Sequence, residues 1–188
     1  MKTSLPTLMN RSPFSRLALA CTVLALLSGC QTPYSFPTPD AKWRTLTGQL
    51  QYVTPQRSVI GDCVVSILHD DQFQLDFVAG PGFPLVKLRQ AGRTARAEGV
   101  FARGSWQGDI ASAPERLNSW FALRDILVNA TRSKGGAAVH LQNPGSWTGE
   151  VQVATNGPED IKIQFMRSDM PRKSAWLERF VFHFNPTR

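Results

Sequence analysis

Apolar and polar residues alternate along residues 45–53. Leu46, Gly48, Leu50 and Tyr52 fall on one side and Thr45, Thr47, Gln49 and Gln51 on the other, the pattern of a half-buried strand. Residues 58–68 form a β-branched run carrying Val59, Ile60, Val64, Val65 and Ile67. A turn at Asp70-Asp71 leads into Phe73, Leu75 and Phe77, which alternate with Gln72, Gln74 and Asp76 before Val78 closes the strand. Gly80-Pro81-Gly82-Phe83-Pro84 is a stiff, apolar connection. Residues 85–90 and 94–101, joined at Ala91-Gly92, add two more strands. Short strands with tight turns predict an antiparallel meander.

The period then changes once. Ser112-Ala113-Pro114-Glu115 has the spacing of a capping box, which predicts Ser112 as N-cap and Glu115 at the third helical position. Leu117, Trp120, Phe121, Leu123, Ile126, Leu127 and Val128 follow, while the polar arc of Glu115, Asn118, Asp125 and Asn129 is narrow. A helix whose apolar arc exceeds half its circumference must be covered on more than one side. Residues 131–136 end it. Strand character returns at residues 138–141, at 147–154 after Asn143-Pro144-Gly145, and at 161–166 after Asn156-Gly157-Pro158. The last strand, residues 176–184, sets Trp176, Phe180, Phe182 and Phe184 at even spacing against Leu177, Arg179, Val181 and His183. The expected class is mainly β (α+β).

The first 29 residues do not fit this pattern. Lys2, Arg11 and Arg16 stand without an acidic residue, and residues 17–27 are an apolar run followed by the small Ser28 and Gly29. Eleven residues span about 16 Å as a helix, short of the roughly 30 Å hydrocarbon core. Leu27-Ser28-Gly29-Cys30 resembles a bacterial lipobox at all four positions. That resemblance implies cleavage between Gly29 and Cys30 and a diacylated Cys30 as lipid anchor. An ordinary secretory signal or a short anchor helix is the alternative. Residues 30–42 hold Pro33, Pro37 and Pro39 and read as an extended tether reaching roughly 35 Å. Gln31, not Asp, follows the cysteine; among enterobacterial lipoproteins this implies delivery to the outer membrane, facing the periplasm.

Composition narrows the function classes. Residues 43–188 are expected to form a single domain large enough for its own core. The formal net charge is +7, and removing the three positive charges before residue 30 leaves +4. That excess is spread along the chain, without the basic stripe and interleaved aromatics of a nucleic-acid binder; weak attraction to anionic lipid fits it better. Of the three cysteines, Cys63 sits alone in an apolar stretch and reads as a small buried hydrophobe. His69, His140 and His183 are isolated and form no metal-binding spacing. No serine sits in a nucleophile elbow, no glycine loop precedes a helix, and the acidic pairs lie at turns. No enzyme activity, metal or cofactor beyond a covalent lipid on Cys30 is expected.

The order of lipobox, Pro-rich tether, meander, apolar helix and further strands resembles the LolA/LolB superfamily of lipoprotein-handling proteins. Trp43, Gly48, Tyr52 and Gly61 fit that family's start. Residues 73–88 (FQLDFVAGPGFPLVKL) look like its strand, Gly/Pro loop, strand unit, and residues 114–127 (PERLNSWFALRDIL) are similar to its Pro-Leu-Trp helix. The resemblance implies a strongly curved antiparallel sheet, a half-barrel, with a helix covering its concave face and acyl chains held between them. It also implies a membrane-contact loop at residues 80–84 with Phe83 at its tip. The family usually shows Leu where this chain has Gly82, and the C-terminal part is abbreviated.

On this basis Leu50, Tyr52, Phe73, Leu75, Phe77, Trp120, Phe121, Leu127, Phe180 and Phe182 are expected on the inward side, either as ligand-binding pocket or as ordinary core. Phe83 either projects or packs back onto the sheet. The leading expectation is an outer-membrane lipoprotein, monomeric, binding acyl chains of lipoproteins or other lipids for transfer at the membrane. Its partners would be membrane lipid and a lipoprotein cargo or periplasmic carrier, with no nucleic acid. The alternative is a structural lipoprotein docking onto an envelope complex without a ligand. A continuous apolar cavity favours the first, a filled core with an exposed edge the second.

Overall fold

In a computed structural model, residues 34–69, 71–132, 139–142, 147, 149–166 and 176–186 are described. The signal-like segment, Cys30, Gln31 and the turn at Asn143-Pro144-Gly145 lie outside the described residues. Ten strands appear: β1 Arg44–Thr54, β2 Arg57–Leu68, β3 Gln72–Ala79, β4 Phe83–Ala91, β5 Thr94–Gly99, β6 Gly104–Asp109, β7 Val139–Gln142, β8 Glu150–Thr155, β9 Asp160–Met166 and β10 Trp176–Phe184. Among the described residues one α-helix, α1, spans Asn118–Arg132 between β6 and β7.

All strands join one antiparallel sheet in the order β6-β5-β4-β3-β2-β1-β10-β9-β8-β7. It consists of two meanders, one on each side of the helix in sequence. Their only junction among the described residues is the pairing of the first strand with the last, where Gly48 faces Phe184 and Tyr52 faces Phe180. The sheet is open, with β6 and β7 at its edges.

The predicted alternation is what the sheet uses. Leu46, Leu50 and Tyr52 of β1, Phe73, Leu75 and Phe77 of β3, and Phe180, Phe182 and Phe184 of β10 are buried in one core with Leu117 and the apolar side of α1. Burial continues around the helix through Trp120, Phe121, Ala122, Leu123, Ile126, Leu127, Val128 and Ala130, as its wide apolar arc requires. Buried Gln90 donates from Nε2 to the Phe121 carbonyl at 3.1 Å, while its Oε1 has no hydrogen-bond partner among the described residues. Cys63 is buried as expected, and burial pushes its thiol up to about 12, so it is protonated and inert at neutral pH. On the other face of β3, Gln74 Nε2 donates to Pro37 O, which ties part of the Pro-rich stretch to the sheet.

Three local expectations are corrected. Ser112 does not cap α1: residues Ile110–Ser112 and Glu115–Leu117 form two 3-10 turns, and the α-helix starts at Asn118. Pro114 disfavours helical geometry at the preceding residue, and Ala113 is extended at φ −64°, ψ 144°, so no continuous helix crosses this point. The first turn is capped instead by Asp109, whose Oδ1 accepts from Ala111 N at 2.9 Å. The fifth strand ends at Gly99, not at residue 101. Val100 to Arg103 form a turn that folds Phe101 back into the core, with its N–H donating to Leu85 O at 3.0 Å. The sixth strand was not expected at all. Gly104–Asp109 offers one large apolar residue, Trp106, whose ring centroid lies 5.3 Å from that of Phe121.

The junction between the meanders depends on Gly48. A Cβ there would lie 2.1 Å from the His183 carbonyl oxygen, a contact that the backbone of β10 must move to relieve. Gly48→Ala is expected to destabilise the domain by about 1–3 kcal/mol, as overpacking of a filled interior does. Urea unfolding monitored by tryptophan fluorescence measures it, and an unchanged midpoint contradicts the role assigned to this seam.

Candidate functional site

Aromatic side chains from both meanders and from α1 meet near the end of the sheet where β1 turns into β2. Tyr52 and Phe180 are register partners whose rings are 5.1 Å apart. Trp120, at the start of α1 and 1% exposed, stands edge-on to Phe180 at 4.8 Å and lies 5.0 Å from Tyr52. Phe101 completes the group at 4.9 Å from Tyr52 and 6.0 Å from Trp120. Edge-on and tilted arrangements are the favoured ones for aromatic pairs, worth about 0.5–1.5 kcal/mol each beyond burial.

A carboxylate is built into this aromatic cluster. Glu178 follows a register irregularity in β10 and occupies the same even-numbered side as Phe180 and Phe182. Tyr52 Oη donates to Glu178 Oε1 at 2.7 Å, and Ser119 Oγ donates to Oε2. One carboxylate thus links β10, β1 and α1. Burial raises the Glu178 pKa from the ordinary 4.5, while the two hydroxyl donors and Arg57 oppose that shift. Burial and the neighbouring carboxylate raise the Tyr52 pKa, so the phenol remains a donor.

Beside Glu178 lies a cavity of about 400 Å³, lined by Tyr52, Thr54, Gln56, Arg57, Phe101, Arg103, Arg116, Trp120 and Glu178. Its size falls in the range of small-molecule sites, roughly 300–1,000 Å³. The floor is aromatic and the rim is cationic. The Arg57 guanidinium lies over the Phe101 ring, 4.5 Å from its centroid, and Arg116 donates to Ala102 O from Nε at 3.3 Å and Nη2 at 3.1 Å. A second cavity of about 210 Å³ lies at the opposite end of β2, lined by Lys42, Arg44, Ile67, Leu68, His69, Val128 and Thr131.

Of the inward residues expected from the sequence, Tyr52 and Trp120 line the larger cavity and Phe180 lies directly behind them. Leu50, Phe73, Leu75, Phe77, Phe121, Leu127 and Phe182 are packed in the common core. Phe83 is the first residue of β4 and is 59% exposed, after a loop with positive φ at Gly80 and Gly82. Cys30 lies outside the described residues. Phe101, Ser119, Glu178 and the three arginines were not singled out from sequence. For Glu178 a signal existed, because it shares the parity of the β10 phenylalanines. The described residues hold no group of three His, Cys, Asp or Glu side chains placed to bind a metal. His183 makes a cross-strand contact with Asp160 at 2.7 Å. No protein-family model matches the chain, and no curated protein matches it in sequence.

Glu178 yields a prediction in two parts. Glu178→Ala leaves the Tyr52 and Ser119 hydroxyls without their acceptor and is expected to cost about 1–3 kcal/mol. Glu178→Gln retains an acceptor for Tyr52 without a charge to desolvate. Because the folded carboxyl has the higher pKa, the folded state holds more protons than the unfolded state above pH 4.5. The Glu178 contribution to stability therefore declines as pH rises from 4.5 through the folded pKa. Chemical denaturation of both proteins between pH 4 and pH 8 should show the stability of Glu178→Gln relative to wild type increasing across that window. A constant difference contradicts the assignment.

Proposed function

We propose that this chain is an outer-membrane-anchored lipoprotein that holds an acyl chain against the aromatic floor of the 400 Å³ cavity and passes it to the membrane. The observation that carries the reading is the position of that cavity. It opens at the sheet end where β1 turns into β2, and antiparallel register brings the start of β4, with exposed Phe83, to the same end. Phe83 then serves as the membrane-contact residue. No chemistry is required: burial contributes about 0.8 kcal/mol per methylene, and the bilayer offers at least that gain for each methylene it takes, so release to the membrane needs no reaction to drive it.

A half-barrel is the shape in which such a site would form. Tyr52 on β1 and Phe101 beyond β5 touch, although four strand spacings of about 4.8 Å separate β1 from β5 in a flat sheet. Gly48 and Gly61, where a Cβ would strike the neighbouring strand's carbonyl at 2.1 Å, mark β1 and β2 as places of close approach or sharp bending. Both observations support strong curvature with α1 on the concave side. Leu27-Ser28-Gly29-Cys30 supports the lipid anchor, and Gln31 supports outer-membrane delivery. A monomer whose partners are membrane lipid and a lipoprotein cargo or carrier completes the reading. The alternative, a structural lipoprotein docking on an envelope complex, is favoured by the seven expected pocket residues that are packed in the core and by the open edges at β6 and β7.

Two experiments test this. Native mass spectrometry of the chain carrying Cys30→Ala is expected to show a co-purifying lipid that Thr54→Trp displaces by filling the cavity from its rim. A ligand-free, stably folded protein that takes up no fluorescent fatty acid rejects the carrier and leaves the structural reading. In cell fractionation, Cys30→Ala is expected to move the protein from the membrane to the soluble fraction; continued membrane association contradicts the anchor.

A further inference from the structure

The rim of the larger cavity carries three guanidiniums and one carboxylate. Arg57 comes from the start of β2, Arg103 from the turn between β5 and β6, and Arg116 from the 3-10 turn ahead of α1. All three line the same cavity, and none forms an ion pair with a described residue. The one carboxylate lining the cavity, Glu178, already accepts from Tyr52 and Ser119. Arg57 is held over Phe101, and Arg116 is held by the Ala102 carbonyl. Two guanidiniums are thus positioned by an aromatic face and a backbone carbonyl; Arg57 also acts electrostatically on Glu178, without a salt bridge to it.

We propose that Arg57, Arg103 and Arg116 form an anion subsite for the phosphate of an amphiphile whose acyl part lies along Tyr52, Phe101 and Trp120. This rests on the carrier reading and names its ligand class. The geometry favours phosphate because three guanidiniums from three elements surround one space. A planar carboxylate is satisfied by a single guanidinium fork, whereas a tetrahedral phosphate presents oxygens in several directions. The aromatic floor favours an amphiphile over a free anion, since inorganic phosphate gains nothing from apolar surface.

The test measures binding by the full chain carrying Cys30→Ala, at low salt, with four probes: lysophosphatidic acid, monoacylglycerol and fatty acid of one chain length, and inorganic phosphate. Lysophosphatidic acid is expected to bind at least tenfold more tightly than monoacylglycerol, and this preference should shrink as sodium chloride is added. Arg57→Gln with Arg116→Gln should abolish the preference for lysophosphatidic acid over monoacylglycerol while monoacylglycerol still binds. Should the pair fail to fold, Arg103→Gln alone, at an exposed turn residue, should reduce the preference at least threefold. Equal affinity for lysophosphatidic acid and monoacylglycerol overturns the subsite and spares the carrier. Fatty acid binding as tightly as lysophosphatidic acid overturns the phosphate assignment, and inorganic phosphate doing so overturns the amphiphile. Failure of every acyl probe to bind overturns both readings.

Discussion

The rest of the structure depends on α1 being apolar around most of its circumference. Such a helix is stable in water only where several strands cover it, and both meanders contribute: α1 packs against β4 from one and β8 from the other. The first and last strands must therefore meet, since only their pairing makes one continuous face from two meanders. Long-range pairing of this kind carries a loop-closure cost that local hairpins avoid. The Phe residues of β10 offset it. Phe180, Phe182 and Phe184 reach the common core only when β10 docks on β1, and burying each stabilises the docked strand by about 1.5–3 kcal/mol.

Among the described residues, Glu178 is where the aromatic cluster of this apolar interior holds a carboxylate. A charge there is costly unless it is hydrogen-bonded, and the hydroxyls of Tyr52 and Ser119 supply those bonds. The same triad ties α1 to the seam between the meanders, so the polar group contributes specificity where aromatic packing alone tolerates sliding. Glu178 also lines the cavity beside Tyr52 and Trp120. Arg57 acts on Glu178 electrostatically without forming a salt bridge to it.

Most strands were legible because one face of the sheet is buried and the alternation in β1, β3 and β10 records that face directly. The sixth strand was not, because an edge strand held by β5 and by Trp106 needs little apolar pattern of its own. The capping box failed for a local reason: Ser112 and Glu115 had the right spacing, but Pro114 kept Ala113 extended. At the site, Tyr52 and Trp120 were legible as inward residues from their periodicity. The rim was not. It brings together residues 54–57, 101–103, 116 and 178, whose proximity arises from sheet pairing and from a turn that folds Phe101 inward. No spacing along the chain encodes that.

The filled interior also sets the direction in which a carrier of this kind would work. Seven of the expected pocket residues pack against one another, which leaves an acyl chain the 400 Å³ beside Tyr52, Phe101 and Trp120. A site of that size is at the lower end of the small-molecule range. A long chain would be buried only in part, whereas a bilayer buries all of it, and each methylene left exposed forgoes about 0.8 kcal/mol. The apolar contribution thus favours delivery over retention. In the proposed carrier, retention before delivery would come from the rim, where guanidinium–phosphate contacts would weaken as ionic strength rises and as other phosphates compete. Arriving at a lipid surface supplies such competitors, so the membrane that receives the chain would also loosen the hold on its headgroup.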